Sequence, residues 1–151
     1  MIAAGEPAPG FTLRDQDGEK VSLDDFKGRK VLLAFYPGDF SPVCGDQLSI
    51  YQEVKPEIAA KDVELVGISV DSFFAHKAFQ EKLGIDITLL SDFEPKGEVA
   101  RAYGSYLDGL GFANRTLVLV DEEGQVAWSY ESPNPGEFPG ANVIFDALTT
   151  S

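Results

Sequence analysis

An unbroken apolar run, Val31 to Tyr36, and a largely apolar one, Val63 to Val70 with Glu64 and Ser69 inside it, interrupt a chain whose hydrophobic positions otherwise alternate or recur every three to four residues. Such continuity predicts strands buried on both faces, as the middle of a helix-covered sheet requires. Ahead of them, Phe11–Arg14 and Val21–Leu23 flank Asp15-Gln16-Asp17-Gly18, which predicts a hairpin around an Asp-Gly turn. Asp24 to Gly28 follows as a short helical turn. After Tyr36 the chain turns through Pro37-Gly38-Asp39 and restarts at Ser41-Pro42. That predicts a helix with Ser41 as N-cap and Pro42 at its first position. Cys44, Leu48, Tyr51 and Ile58 share one face of this helix, and Pro56 predicts a kink or restart near Lys55.

The second run gives way to Asp71-Ser72, a capping pair, so a helix is expected from Phe73 to Leu83 with Gly84 ending it. Ala75, Ala78, Phe79 and Leu83 form its inner face, which leaves His76 outward as a packing or interface residue. Ile87 to Leu90 reads as a short strand, and Pro95 opens a small helix through Ala102. An aromatic, glycine-rich loop from Tyr103 to Phe112 leads into a strand, Arg115 to Asp121. Glu122-Glu123-Gly124 turns into another, Gln125 to Tyr130, with Trp128 half-buried, and Ala141 to Leu148 supplies a last helix. This succession predicts one α/β domain over 1–151, with a mixed sheet between helices. Sites in such sheets lie beyond the carboxyl ends of the parallel strands, where Cys44 falls.

Composition narrows the function. With 151 residues, 44% hydrophobic and 25% charged, disorder is not the default. A net charge of −13 argues against nucleic acid and anionic membrane surfaces. No stretch approaches the length that spans a bilayer, and Met1 to Glu6 lacks the basic and apolar regions of a signal peptide, so a cytoplasmic location is expected. One cysteine allows no internal disulfide, and Cys44-Gly45-Asp46-Gln47 lacks the second thiol of a Cys-x-x-Cys site. With one histidine, one cysteine and no paired ligand spacing, neither a metal nor a cofactor is expected.

A lone cysteine is more often a small buried hydrophobe than a reactive group. The neighbours of Cys44 reverse that. In the first turn of a helix, unpaired N–H groups and the positive end of the dipole face the sulfur, a placement that favours thiolates. Ser41 can aim its hydroxyl into the same loop mouth, Pro37 can wall off one side, and Gly45 lets a small ligand approach. Asp46 must point outward, because a carboxylate close by would oppose ionisation.

Pro37-Gly38-Asp39-Phe40-Ser41-Pro42-Val43-Cys44 fits a pattern of Pro, three residues, Thr or Ser, two residues, Cys. Val70-Asp71-Ser72 with His76-Lys77, Leu89-Leu90-Ser91-Asp92, Ala102-Tyr103-Gly104 and the strand led by Arg115 follow in order. Over nearly its whole length the chain resembles the peroxiredoxins, thiol peroxidases on a thioredoxin fold. It most resembles their one-cysteine, alkyl hydroperoxide reductase E-like branch. The resemblance implies a thioredoxin-like α/β fold, its mixed central sheet flanked by helices, with an N-terminal β-hairpin extension. It implies reduction of hydrogen peroxide, organic hydroperoxides or both through a sulfenic acid at Cys44. Ser41 would then bond the peroxide, Pro37 shield the sulfur, and Arg115 lie beside it. Val43, through its N–H, and Gln47 would assist in binding substrate. An external thiol or a thioredoxin- or glutaredoxin-like redoxin would recycle the enzyme. A homodimer is expected, with the aromatic loop, Phe40 and Phe74 around the mouth. The alternative is a peroxide sensor or thioredoxin-like binding module using the same cysteine, separable from a peroxidase by rate and turnover.

Overall fold

Alternate residues of the first apolar run feed two different cores, which is why the run is unbroken. The computed structural model describes residues 1–41 and 43–150. In chain order, β1 (Thr12–Arg14) and β2 (Lys20–Ser22) precede a 3-10 turn over Leu23–Phe26, β3 (Lys30–Phe35) and α1 (Cys44–Ala59). Then come β4 (Val63–Ser69), α2 (Phe73–Leu83), β5 (Thr88–Ser91) and α3 (Glu98–Ala102). The small strands β6 (Tyr106–Leu107) and β7 (Phe112–Ala113) lead to β8 (Thr116–Val120), β9 (Val126–Glu131) and α4 (Ala141–Thr150). Seven strands form one sheet in the order β2-β1-β5-β4-β3-β8-β9. The β3, β4 and β5 strands run parallel, and the hairpin β1–β2 and the pair β8–β9 close its edges antiparallel.

Leu32, Ala34 and Tyr36 join Leu48, Tyr51, Ile58, Phe79 and Ile144 on the side of α1, α2 and α4. Val31, Leu33 and Phe35 join Leu23, Phe26, Val99 and Tyr103 on the other. Full burial of one such aliphatic side chain contributes about 1.5–3 kcal/mol, so β3 is a main anchor of both layers. This is the mixed sheet flanked by helices expected from the sequence, with the N-terminal hairpin attached along β5. No helix among the described residues is long and apolar enough to cross a membrane.

Local differences from the sequence reading concern helix ends and one helix face. The N-cap of α1 is Val43, whose carbonyl accepts the Gln47 N–H at 3.0 Å, and not Ser41. Pro42, expected at the first helical position, lies outside the described residues. The helix runs through Pro56 to Ala59 without a restart. Pro56 removes one donor in the last turn, while fully buried Ile58 holds that turn on the sheet. The small α3 begins at Glu98 and not at Pro95, because the Asp92 carboxylate accepts the N–H groups of Val99 and Ala100 (3.0 and 2.9 Å) and caps it there. The aromatic loop folds partly into the β6–β7 hairpin, and Tyr103 enters the core.

The capped limits of α2 agree with the sequence: Ser72 Oγ accepts from Ala75 N at 3.3 Å, and Gly84 ends it at φ +66°. Its buried side, however, carries His76 and Phe79, while Ala78 is exposed. The apolar pattern misplaced His76 because the partner that makes its burial tolerable, Asp39, lies on a distant loop. Replacing Ser72 by alanine should lower the unfolding free energy by about 1 kcal/mol, as loss of an N-cap does. Urea denaturation checks this, and an unchanged midpoint would mean that the hydroxyl does not cap α2.

Candidate active site

Strand pairing brings together residues seventy positions apart. Phe35, the last residue of β3, pairs with Thr116, the first of β8, so Arg115 stands at the carboxyl end of β3, where the chain leaves for α1. Cys44 opens α1 with its side chain fully buried. Arg115 Nη1 donates to Cys44 Sγ at 3.1 Å and to Gln47 Oε1 at 2.7 Å, and Nε donates to the Pro135 carbonyl at 2.6 Å. The planar fork of arginine permits three such contacts, which a lysine could not reproduce.

Arg115 is only 2% exposed, and among the described residues no carboxylate pairs with it. Withdrawing a cation from water is costly unless an anion accompanies it. Of the groups it touches, the sulfur is the one that can carry a negative charge. Asp46 is exposed and so turns away, as a reactive cysteine requires. Behind the guanidinium, Gln47 Nε2 donates to Tyr51 Oη at 3.2 Å, and Tyr51 Oη donates to the Pro139 carbonyl at 2.5 Å. Burial pushes the Tyr51 phenol well above the ordinary tyrosine range, keeping it a donor.

In front of the sulfur lies a cavity of about 370 Å³ lined by Pro37, Gly38, Ser41, Val43, Phe112, Arg115, Pro135 and Gly136. Ser41 Oγ is buried there without a hydrogen-bond partner among the described residues. Leaving a buried hydroxyl unpaired costs about 1–3 kcal/mol, which a hydrogen bond to a ligand would offset. The loop behind it is strained as well. Phe40 sits at φ +65°, a left-handed conformation costing about 1–2 kcal/mol for a residue with a side chain. Its ring packs on Phe79 at 4.9 Å between centroids, with Lys82 Nζ 5.5 Å from its face.

Of the residues singled out in the sequence, Pro37, Ser41, Val43 and Arg115 line this mouth, and Cys44 is buried against Arg115. Gln47 stands behind it on Arg115. Sequence reasoning did not assign Tyr51 or the carbonyls of Pro135 and Pro139 to the site. The four-residue spacing from Gln47 to Tyr51 on one helix face was a usable signal; the carbonyls have no side-chain signature.

The AhpC/TSA family profile matches residues 4–129. Alkyl hydroperoxide reductase E of Mycobacterium tuberculosis is 38% identical over 149 residues, covering 98% of this chain and 97% of its own. The putative peroxiredoxin bcp of Coxiella burnetii is 39% identical over 132 residues, covering 83% and 86%. Among solved structures, Enterococcus faecalis AhpC superposes with a TM-score of 0.91 at 27% identity, over 99% of this chain and 92% of its own. The family profile and these relatives show that the chain, with its one cysteine, belongs to the AhpC/TSA family as a one-cysteine peroxiredoxin, a thiol-dependent peroxidase.

Proposed function

We propose that Cys44 is the peroxidatic nucleophile, with Arg115, Ser41 and Pro37 as the groups that make its reaction fast. The observation that carries this reading is the 3.1 Å contact from the buried Arg115 Nη1 to Sγ. The thiolate attacks the distal oxygen of a hydroperoxide, the S–O bond forms as the O–O bond breaks, and the electron pair leaves on the proximal oxygen. Solvent protonates that oxygen, giving water or an alcohol, and Cys44 is left as the sulfenic acid. Charge moves from sulfur to the departing oxygen, so a fixed cation beside both lowers the barrier throughout. The Ser41 hydroxyl, unpaired at rest, donates to the peroxide. Pro37 and Val43 wall the mouth, and the first N–H groups of α1, which have no partner within the helix, are donors for the substrate in this reading. Gln47 orients Arg115 from behind.

With one cysteine in the chain, the sulfenic acid is resolved from outside. An external thiol displaces water from it to form a mixed disulfide, and a second thiol or a redoxin releases Cys44. A thiol-bearing reductant is larger than a peroxide, so at a fully buried Cys44 it needs the loop ahead of the cysteine to move further. The remainder of the reading is one thioredoxin-like domain, cytoplasmic, acting on hydrogen peroxide or organic hydroperoxides. Exposed Phe40, Phe74 and Leu110 support a homodimer. A sensor or binding module with no turnover is not favoured.

Replacing Arg115 by methionine should slow Cys44 oxidation about 10²–10³-fold, the usual cost of losing one stabilising donor. Lysine at 115 should recover only part of it; stopped-flow Trp128 fluorescence reads both, and a methionine variant as fast as the parent would remove the arginine from the mechanism. Ser41→Ala should slow oxidation while leaving the fold unharmed or up to about 1 kcal/mol more stable, since an unpaired buried hydroxyl is deleted. Paired kinetics and thermal melts decide this; a large loss of stability would show that the hydroxyl is already satisfied. Intact mass after peroxide and a low-molecular-weight thiol should show one mixed disulfide at Cys44. Sustained turnover with no external thiol present would contradict the recycling scheme.

A further inference from the structure

Behind the peroxide-binding loop lies a second buried polar group that the chemistry above does not use. Asp39 Oδ2 and His76 Nδ1 are 2.7 Å apart, and their side chains are 1% and 0% exposed. Tyr36 Oη donates to Asp39 Oδ1 at 2.7 Å. His76 Nε2 faces the Leu90 carbonyl at 2.9 Å and must donate to it. The Asp39–His76 bond therefore carries one proton, on Nδ1 or on Oδ2, with no solvent to replace it. The main-chain N–H of Asp39 donates to Asp71 Oδ2 at 2.8 Å, which also accepts Ser69 Oγ at 2.6 Å.

Asp39, Asp71 and His76 place potential ligand atoms within 4.8 Å of one another, the chemistry of a metal site. Hydrogen bonding argues for another use. Both nitrogens of His76 are committed within the chain, and both oxygens of Asp39 have partners. What the cluster holds is the loop. Asp39 lies two residues after Pro37 and two before Ser41, and next to Phe40 with its positive φ. Asp39 and Phe40 face α2, while Pro37, Gly38 and Ser41 face the mouth.

We propose that His76, acting through Asp39, is a positioning residue that clamps the loop 37–41 over Cys44 for peroxide capture, and that release of this clamp admits the reducing thiol. The proposal rests on the peroxidase reading. Capture requires Ser41 and Pro37 in place at the mouth, whereas resolution needs the wider opening that a thiol-bearing molecule, larger than a peroxide, demands at a buried Cys44. One contact therefore sets the two half-reactions against each other. A weaker clamp favours the open loop, which loses peroxide oxidation and gains access for the thiol.

The test measures both half-reactions separately in the intact protein: Cys44 oxidation by hydrogen peroxide in stopped flow, and reaction of the preformed sulfenic acid with glutathione by intact mass. His76→Leu should slow the first about tenfold and quicken the second by a similar factor, as a population shift predicts. His76→Asn, which keeps an N–H donor near the position of Nδ1, should restore most of the oxidation rate. Tyr36→Phe removes one hydroxyl without a core volume change, so it gives the same opposed shifts in smaller measure should the leucine variant fail to fold. Both rates falling together in the variants, or neither changing, would overturn the clamp while leaving the peroxidase reading intact. A parent protein inert to peroxide would overturn both.

Discussion

A guanidinium taken almost wholly out of water must be met by acceptors, and here one of them is the sulfur of Cys44. Most of the site follows from that constraint. The pairing of β3 with β8 delivers Arg115 to the end of the central strand, and α1 starts at the residue that meets it. Gln47 accepts the other Nη1 N–H and the Pro135 carbonyl accepts from Nε, so the cation has its geometry fixed before any substrate arrives. Preorganisation of this kind is what makes an electrostatic contribution large in a low-dielectric pocket.

The loop between Tyr36 and Cys44 has two sides with opposite character. Toward the mouth it presents Pro37, Val43 and a hydroxyl without a partner among the described residues. Toward α2 it presents a carboxylate with both oxygens bonded and an aromatic ring packed on Phe79. The strain at Phe40 is tolerated because neighbouring contacts over-determine the conformation, as is usual where backbone strain persists.

Much of this was legible before any coordinates. Apolar runs marked the central strands, and capping chemistry gave α2 its limits at Ser72 and Gly84. The pattern around Cys44, together with the downstream arginine, singled out two residues that the fold brings into contact. What stayed hidden depended on partners remote in sequence. Ser41 looked like an N-cap because serine before proline usually is one, yet the N-cap is Val43, two residues later, and the hydroxyl has no partner among the described residues. His76 looked like a surface residue because periodicity weighs apolar side chains and cannot see an aspartate thirty-seven positions away. The carbonyls that receive Arg115 and Tyr51 are invisible to any reading by residue type.

Those carbonyls belong to a segment of unusual make-up, with prolines at 133, 135 and 139. The segment is tied down by the Ser132 N–H to the Arg115 carbonyl at 2.9 Å, and by Asn114 Nδ2 to the Ser132 carbonyl at 2.9 Å. Proline has little backbone freedom to lose, so this stretch can be irregular and still rigid. The consequence is that the stiffness of a ribbon lacking helix or strand governs the aim of a charge buried in the middle of the molecule. Sequence drift at 133–139 that never touches the cysteine would be felt as a fault in catalysis.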